Sequence, residues 1–370
     1  MRVAIVHERF SEMGGSERVV EQLHAIWPAA PIHAAVVDER VLAPGLAGAD
    51  LRPTPLQRPY RGGPGYEYLL PLLPLAIARL PLDDAELVVT SHHAFANRVR
   101  PPRGVPVVSY THTPSRWIWD RAFRRGERGG RAGRFLLGAF AATQRRPDRA
   151  AAERLRGIVV NSRFVAERVR RWWGRSSEVV HPPVDVTFFT PHPGVQRDDF
   201  FLLAGRLVPY KRPLVAVAAA REAGVRLVVA GEGRLRPAVE AMAGPGIEVL
   251  GAIDDDSLRD LYRRCRALVF PGEEDFGIVP VEAQACGAPV LARASGGVLD
   301  SVVDGVTGSL YLGSGGDGEV DALADALRRF DTSRFEPRAA RRHAVSFTPE
   351  RFRARFVAAV ERLLGRPLDV

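Results

Sequence analysis

Short apolar runs alternate with helical patterns along most of the chain, and this alternation constrains the fold more than any other feature. The runs are continuously apolar, as expected of strands in a parallel sheet that helices cover on both faces. They form two series. The first comprises Arg2–His7, Ile32–Val37, Leu87–Thr90, Val105–Tyr110, Gly157–Asn161 and Glu178–His181. The second comprises Phe200–Ala204, Arg226–Ala230, Ile247–Leu250, Ala267–Phe270, Pro289–Ala292 and Gly308–Tyr311. The sequence therefore predicts an α/β protein with two doubly wound domains.

A proline-rich segment separates the two series. Residues 182–194 contain four prolines, which is typical of a semi-rigid linker. We predict a first domain over residues 1–185 and a second over 186–346. Residues 347–370 begin with Thr348 as a helix cap and Pro349 in the first turn, so we expect a helix that packs back on the first domain. Ligands of open parallel sheets bind beyond the carboxyl ends of the strands, so two facing sheets would form one cleft.

Lys211 is the only lysine among the 52 lysine and arginine residues of the chain. Lysine presents a compact point charge where arginine presents a planar fork, and a point charge suits phosphate oxygens in a tight pocket. Arg206 and Lys211 follow the apolar run that ends near Gly205, so both cations are expected at the carboxyl end of a strand. A net charge of +9 also favours an anionic ligand, although an arginine-rich composition raises the charge without a specific partner.

Residues 271–287 are the densest candidate site. An acidic loop follows the run ending at Phe270, and a helix is predicted to begin near 276–280 and to stop at Gly287. The free N–H groups of Gly277, Ile278 and Val279 would then form an anion site.

Two carboxylates, Glu274 and Glu282, lie in this segment. If the span between them were all helix, they would be ~12 Å apart. That exceeds the separation of about 5 Å needed by the carboxylate pair of a retaining glycoside hydrolase. We interpret them as acceptors for hydroxyl groups of one elongated ligand. The alternative for Glu282 is that it merely complements the helix dipole.

Metal ligands and disulfides are not expected. The aspartates at 254–256 precede a helical pattern, which favours a cap and first-turn charges. The only cysteines, Cys265 and Cys286, do not make a disulfide framework, so a reducing cytoplasm is the expected location. The chain enters a strand at once, which argues against a signal peptide, and the apolar stretch 68–82 is too interrupted to span a bilayer.

These motifs together resemble the retaining GT-B glycosyltransferases of family 4. The resemblance covers nearly the whole chain and rests on the segments 206–211 and 274–282 and on four others. Those four are Gly14-Gly-Ser-Glu-Arg18, His112-Thr-Pro-Ser-Arg-Trp-Ile-Trp-Asp120, Asn161-Ser-Arg-Phe164 and Pro182-Pro-Val-Asp185. The sequences of these motifs are most similar to those of bacterial mannosyltransferases that use GDP-mannose. The resemblance implies two Rossmann-like domains facing across a cleft.

The resemblance also implies an activity. A hexose, most simply mannose from GDP-mannose, would pass with retention and without metal to a glycan or lipid-linked acceptor. The donor is a substrate, and no cofactor is implied. The resemblance implies that Arg206 and Lys211 contact the diphosphate and that Glu282 contacts the ribose. Glu274 and the backbone of Phe276 and Gly277 would contact the sugar, and His112 would contact the donor sugar at the catalytic centre. Gly14 and Gly15 would contact the diphosphate or the acceptor.

Several alternatives remain open. A UDP-sugar-dependent transferase or a nucleotide-sugar epimerase would use the same fold. A dehydrogenase is disfavoured because no Gly-x-Gly-x-x-Gly follows the first strand, and a non-catalytic module would not need the paired cations. Residues 121–156, rich in arginine, could lie on an anionic membrane at the inner face of the cell or could form a solvated helix face. No nucleic-acid partner is expected.

Overall fold

The structure is a computed structural model that describes residues 1–62, 68–125, 130–313 and 318–369. It divides the chain into two compact units. The first is Met1–Pro183 together with Pro349–Val370, and the second is Val184–Thr348. The boundaries expected from the sequence, after residues 185 and 346, each lie two residues from these.

The first unit contains a seven-stranded parallel sheet in the order β3-β2-β1-β4-β5-β6-β7. Its strands are β1 (Val3–His7), β2 (Ile32–Ala34), β3 (Leu51–Pro53), β4 (Leu87–His92), β5 (Val107–Thr111), β6 (Gly157–Val160) and β7 (Glu178–Val179). Its first six helices are α1 (Gly15–Ile26), α2 (Leu73–Ala78), α3 (Arg116–Trp119), α4 (Arg121–Arg125), α5 (Gly130–Arg154) and α6 (Arg163–Trp173). The strand order reverses between β1 and β4, which is where doubly wound sheets open a ligand crevice.

The second unit contains a six-stranded parallel sheet in the order β10-β9-β8-β11-β12-β13. Its strands are β8 (Phe201–Ala204), β9 (Leu227–Ala230), β10 (Ile247–Gly251), β11 (Ala267–Phe270), β12 (Val290–Arg293) and β13 (Gly308–Tyr311). Its helices are α7 (Pro213–Ala223), α8 (Arg236–Met242), α9 (Asp255–Arg264), α10 (Ile278–Ala285), α11 (Val298–Ser301), α12 (Gly318–Arg329) and α13 (Pro337–Ala344). Here the order reverses between β8 and β11.

Each sheet carries apolar side chains on both faces. Successive side chains of a strand point to opposite faces, so Leu202 and Leu203 enter two different apolar clusters. The same division separates Ile5 from Val6 in the first unit. Burial on both faces explains why the strands are apolar without alternation.

The last helix, α14 (Pro349–Leu364), belongs to the first unit. It begins after Thr348, whose backbone is extended, and proline occupies the first helical position. Phe352, Phe356 and Val360 recur at helical spacing and are no more than 2% exposed in the cluster that also contains Ile5. The helix therefore completes the apolar layer on one face of the first sheet.

All twelve runs expected as strands are strands, although β2 and β7 are shorter than expected. The strand that the sequence did not indicate is β3, which has three residues and pairs only at the edge with β2. Arg52 and Pro53 are exposed there, so the segment lacks the apolar run that marks a buried strand.

Candidate active site

The loops that follow β8 and β11 meet at the switch point of the second sheet. Lys211 Nζ lies 2.8 Å from Oε1 of Glu274, and the two side chains are only 15% and 18% exposed. The sheet thus brings together the lone lysine and the acidic loop that the sequence singled out. Without a ligand, each of these side chains is the other's counter-ion.

Glycines allow these loops to approach one another closely. Gly205 has φ of 119°, and a Cβ there would lie 3.1 Å from Nζ of Lys211. A Cβ on Gly272 would lie 2.8 Å from the Cα of Lys211. Gly231, in the loop after β9, has φ of 146°, and a Cβ there would overlap the carbonyl oxygen of Gly205. The Gly231–Gly233 turn therefore packs directly against the lysine-bearing loop.

Arg206 lies in the same loop and is exposed. Its Nη2 donates a hydrogen bond to the hydroxyl of Tyr210 at 2.9 Å, and Tyr210 directly precedes Lys211. The guanidinium is therefore tethered to the turn that carries the lysine.

The amino end of α10 lies within the predicted range of 276–280. The helix begins at Ile278 because Gly277 has a left-handed φ of 95°. Phe276 is 3% exposed and its ring lies 5.5 Å from that of Phe347, so only its backbone can meet a ligand. The first N–H groups of a helix have no intrahelical acceptor, which leaves Ile278 suited to an anion.

Glu282 lies on the buried side of α10 and is 7% exposed. Its Oε2 accepts a hydrogen bond from the hydroxyl of Tyr262 at 3.2 Å. Burial raises the pKa of Tyr262 well above its ordinary value, so the phenol stays a donor. Glu282 also lies beyond the first helical turn, which weakens the helix-dipole alternative. Residues 274–277 precede the helix, so the separation calculated for an all-helix span does not apply to Glu274 and Glu282.

His112 directly follows β5 at the carboxyl edge of the first sheet. Its backbone N–H donates to the carbonyl of His92 at 2.8 Å, and its carbonyl accepts from Nδ2 of Asn161 at 2.9 Å. Its Nε2 lies 2.9 Å from Oγ of Ser91. Burial, and then the nearby His7, lower the pKa of His112 to about 3, so its imidazole is neutral near pH 7.

Gly14 and Gly15 lie where β1 passes into α1. Gly14 is the helix cap and has an extended backbone, and Gly15 is the first helical residue. A Cβ on Gly14 would lie 3.1 Å from Oε2 of Glu17, so the absence of a side chain leaves space beside that carboxylate.

Sequence reasoning missed three polar residues beside His112. They are His7, which ends a run interpreted only as a strand, Ser91, which directly follows another such run, and Glu17, inside the glycine motif. Ser91 and His7 are fully buried, and Glu17 is 4% exposed. The available signal was that polar residues in an apolar, two-face-buried strand require partners.

A second buried carboxylate closes the loop after β4. Oε1 of Glu8 accepts backbone N–H bonds from His93, Ala94, Phe95 and Ala96 at 2.6–3.2 Å. This cradle of N–H groups is therefore filled by the protein itself. Asn97, which is 3% exposed, accepts a bond from the hydroxyl of Thr90 at 2.6 Å and so has a structural role.

The aspartates at 254–256 serve the start of α9. Asp254 accepts a hydrogen bond from the N–H of Ser257, and the next two lie in the first turn, as predicted. Within the described ranges, no group of three or more His, Cys, Asp or Glu residues could hold a metal ion. Among the helices of those ranges, none is long and apolar enough to cross a membrane. Cys265 and Cys286 are both buried free thiols.

Comparisons with known proteins match both units. Residues 13–188 match the family described as Glycosyltransferase Family 4, and residues 188–344 match Glycosyl transferases group 1. The D-inositol 3-phosphate glycosyltransferases of Mycobacterium tuberculosis and Mycobacterium bovis are each 35% identical to this chain over 238 residues. Those matches cover 56% of this chain and 49% of each relative, so the chain spans about half the length of the curated relatives it matches.

Solved structures of low sequence identity share the fold. The sucrose-phosphate synthase of Thermosynechococcus elongatus aligns with a TM-score of 0.70 at 18% identity, covering 99% of this chain and all of the other. Anabaena HepE in complex with UDP-glucose aligns with a TM-score of 0.68 at 16% identity, covering 98% of this chain and all of the other. The two family matches together extend from residue 13 to residue 344, so this chain belongs to the group 1, family 4 glycosyltransferases and has their GT-B type of fold.

Proposed function

We propose that this protein transfers a hexose from a nucleoside-diphosphate sugar to a hydroxyl acceptor, with retention at the anomeric carbon and without a divalent metal. The observation that carries the proposal is the Lys211–Glu274 pair, 2.8 Å apart at the switch point of the second sheet. One member suits a diphosphate and the other suits sugar hydroxyl groups.

Breaking a glycosyl–phosphate bond leaves negative charge on the departing oxygen, and fixed cations can stabilise it. Lys211 is mostly buried, so water screens its charge less than at an open surface. Gly231 and Gly272 pack closely against the loop that carries Lys211 and hold it in place. A preorganised cation of this kind needs little rearrangement when the charge develops.

Glu274 has a dual role in the proposal. Without donor, it neutralises Lys211. When a diphosphate occupies the lysine, the carboxylate is released to accept hydrogen bonds from sugar hydroxyl groups. Arg206 would add a second cation at the phosphates, and the N–H groups of Gly277 and Ile278 would add donors.

We propose GDP-mannose as the donor, because the sequence motifs resemble those of bacterial mannosyltransferases that use GDP-mannose. The relatives include D-inositol 3-phosphate glycosyltransferases, and a structural neighbour was solved with UDP-glucose. A UDP-sugar is therefore the second candidate. A thermal-shift panel of GDP-mannose, UDP-glucose, UDP-N-acetylglucosamine and ADP-glucose, all in EDTA, separates them. Stabilisation by GDP-mannose alone is expected, and stabilisation by a UDP-sugar alone would contradict this donor.

The same panel needs a variant that reports on the site. Lys211→Met keeps the length of the side chain and removes its charge, so stabilisation by the donor should be lost. Arg328→Met is the matched control, because its guanidinium bonds to Glu222 and Asp325 on an exposed helix face. An equal shift in both variants would contradict donor binding at Lys211.

Turnover without acceptor tests the epimerase alternative. Wild-type protein incubated with the donor alone should return the donor unchanged apart from slow hydrolysis. An epimerised nucleotide-sugar would contradict the proposal. The anomeric configuration of a transferred sugar, read by proton NMR, tests retention.

We further propose that α5 contacts an anionic membrane. Phe135 and Leu136 are 75% and 67% exposed, although both are large and apolar. Arg134 and Arg146 are also exposed on this helix, and Arg146 lies three turns from Phe135 on the same face. An apolar insertion flanked by cations suits a surface of anionic lipid.

Sedimentation with phosphatidylglycerol vesicles tests this contact. Binding should fall as salt is raised and should be lost in a Phe135→Ser, Leu136→Ser double variant. Leu312→Ser is the matched control, because Leu312 is 83% exposed in the second unit. Absence of salt-sensitive binding by the wild-type protein would contradict the membrane contact.

A further inference from the structure

A chain of hydrogen bonds leads from His112 into the interior of the first unit. Nε2 of His112 lies 2.9 Å from Oγ of Ser91, and that oxygen lies 3.1 Å from Nδ1 of His7. Nε2 of His7 in turn lies 3.4 Å from Oε1 of Glu17, which makes this the longest contact of the series. These four residues, His112, Ser91, His7 and Glu17, are called the relay below.

The carboxylate at its end decides which atoms of the relay donate. Burial alone would raise the pKa of Glu17, but hydrogen bonds from His7 and Ser16 outweigh this effect, and the pKa is lowered. Glu17 is therefore an ionised acceptor, and Nε2 of His7 must carry a proton. In a neutral His7, Nδ1 then has a lone pair and accepts the hydroxyl proton of Ser91.

The same reasoning fixes the tautomer of His112. Because the Ser91 hydroxyl donates to His7, its oxygen accepts from His112, which requires a proton on Nε2. Nδ1 of a neutral His112 then has the lone pair. Within the described part of the chain, no residue hydrogen-bonds that nitrogen. The backbone of His112 is held on both sides, by His92 and Asn161.

We propose that Glu17, His7 and Ser91 are positioning residues that hold His112 with Nε2 protonated, so that Nδ1 offers a hydrogen-bond acceptor to a substrate hydroxyl group. The identity of that hydroxyl, on a sugar or an acceptor, rests on the proposed function. The tautomer itself does not. Without the relay, an imidazole can present either a donor or an acceptor at the same position, so only one of its two forms would accept the proton of the hydroxyl.

The neighbours of His112 agree with a fixed, neutral ring. Its imidazole lies 5.2 Å from the ring of Tyr110 and 6.3 Å from that of His93. His93 is itself bonded to Arg9, whose Nη1 lies 2.8 Å from Nε2 of His93. A guanidinium only donates, so His93 accepts there. Burial, and then that cation, lower the pKa of His93 well below its ordinary value.

The test is the tautomer of His112 in protein labelled with ¹⁵N at histidine, without substrate, at pH 8. Long-range ¹⁵N–¹H correlation spectra distinguish protonated from unprotonated ring nitrogens, and the His112→Gln spectrum assigns the signal. The expected result is a protonated Nε2 and an unprotonated Nδ1 in the wild type. A protonated Nδ1 would overturn the proposal.

Three variants complete the test. Ser91→Ala interrupts the relay, and it should give a mixture of tautomers at His112. Glu17→Gln replaces the obligate acceptor by an amide that can also donate, so it too should populate a protonated Nδ1. Ser109→Ala is the matched control, because Ser109 is also fully buried in the sheet and its hydroxyl contacts Thr111 at 2.8 Å instead of the relay. If neither relay variant changes the tautomer, the proposal is wrong.

Steady-state kinetics provide a second test of the positioning role. Loss of one oriented hydrogen bond should lower kcat/KM of Ser91→Ala on the order of tenfold, and Ser91→Thr, which keeps the hydroxyl, should restore most of it. Unchanged kinetics in Ser91→Ala would overturn the positioning role. A wild-type protein that turns over no nucleotide-sugar would instead refute the proposed function, while the NMR result would still decide the relay.

Discussion

Replacing Lys211 by alanine should remove most of the turnover of this protein while leaving it folded. The lysine is 15% exposed and its Nζ is 2.8 Å from Glu274. In the proposed reaction, the same ammonium group faces the departing diphosphate. The substitution therefore removes the charge that the transition state needs and the counter-ion of Glu274.

The two consequences differ in size. A unit charge about 4 Å from a departing oxygen is worth about 4 kcal/mol at an effective dielectric constant of about 20. Water entering the space left by the side chain would recover part of this energy, so we expect kcat to fall by about 10²- to 10³-fold. The ion pair with Glu274 is partly exposed, and its loss should lower the free energy of unfolding by about 1 kcal/mol or less.

Lys211→Arg separates charge from shape. Nζ packs closely against Gly205, where even a Cβ would lie only 3.1 Å from it, so a larger guanidinium could not keep the same position. This variant should keep less than about a tenth of the wild-type kcat despite its charge. Release of nucleoside diphosphate under saturating donor measures kcat, and urea denaturation measures stability. A Lys211→Ala variant with kcat within threefold of the wild type would refute the reasoning.

Other substitutions test the supports of the two units. Gly231→Ala should lower kcat at least tenfold, because its Cβ would displace the lysine-bearing loop. Gly224→Ala is the control, because Gly224 faces open space at φ of 69°. This control should lose only about 1 kcal/mol of stability and keep its kcat. Asp148→Ala should lower the free energy of unfolding by about 2–4 kcal/mol in urea denaturation, because two indole N–H groups at 2.7 Å lose their acceptor. Burial, and then a nearby guanidinium, lower the pKa of His33 to about 4, below its unfolded value of 6.5. The contribution of His33 to the free energy of unfolding is therefore fully present above pH 6.5 and is lost as the pH falls towards 4. Stability should therefore decrease by about 3 kcal/mol over that window in the wild type and less in His33→Gln; equal pH dependence in the two proteins would contradict this assignment.

The sequence predicted the fold well where burial dominates. Strands that helices cover on both faces must be apolar throughout, so runs such as Ala267–Phe270 are visible in the sequence without a partner. The edge strand Leu51–Pro53 was invisible because pairing with one neighbour, rather than burial, makes it a strand. The start of α10 was predicted only to within 276–280, because a left-handed Gly277 cannot be distinguished from a helical one in the sequence.

The candidate site was predictable only in part. Composition singled out Lys211, and the resemblance indicated Glu274, but their direct pairing depends on two loops that follow strands distant from each other in the sequence. His7 was hidden because it ends a strand that is otherwise apolar, and Ser91 was hidden because it follows the apolar run that was expected to end at Thr90. Their role follows from the register of β1 against β4, which pairs His7 with Ser91. Register of this kind depends on tertiary packing and cannot be read from local spacing.

In the proposed reaction, the fixed charge of Lys211, rather than a divalent ion, stabilises the negative charge released as the glycosyl–phosphate bond breaks. The most direct measurement is transfer by chelator-treated protein, with and without added Mg²⁺ or Mn²⁺, in the wild type and in Lys211→Met. We expect full wild-type turnover in EDTA, and loss of turnover in the variant that neither metal restores. Wild-type turnover that disappears in EDTA and returns with either metal would contradict it.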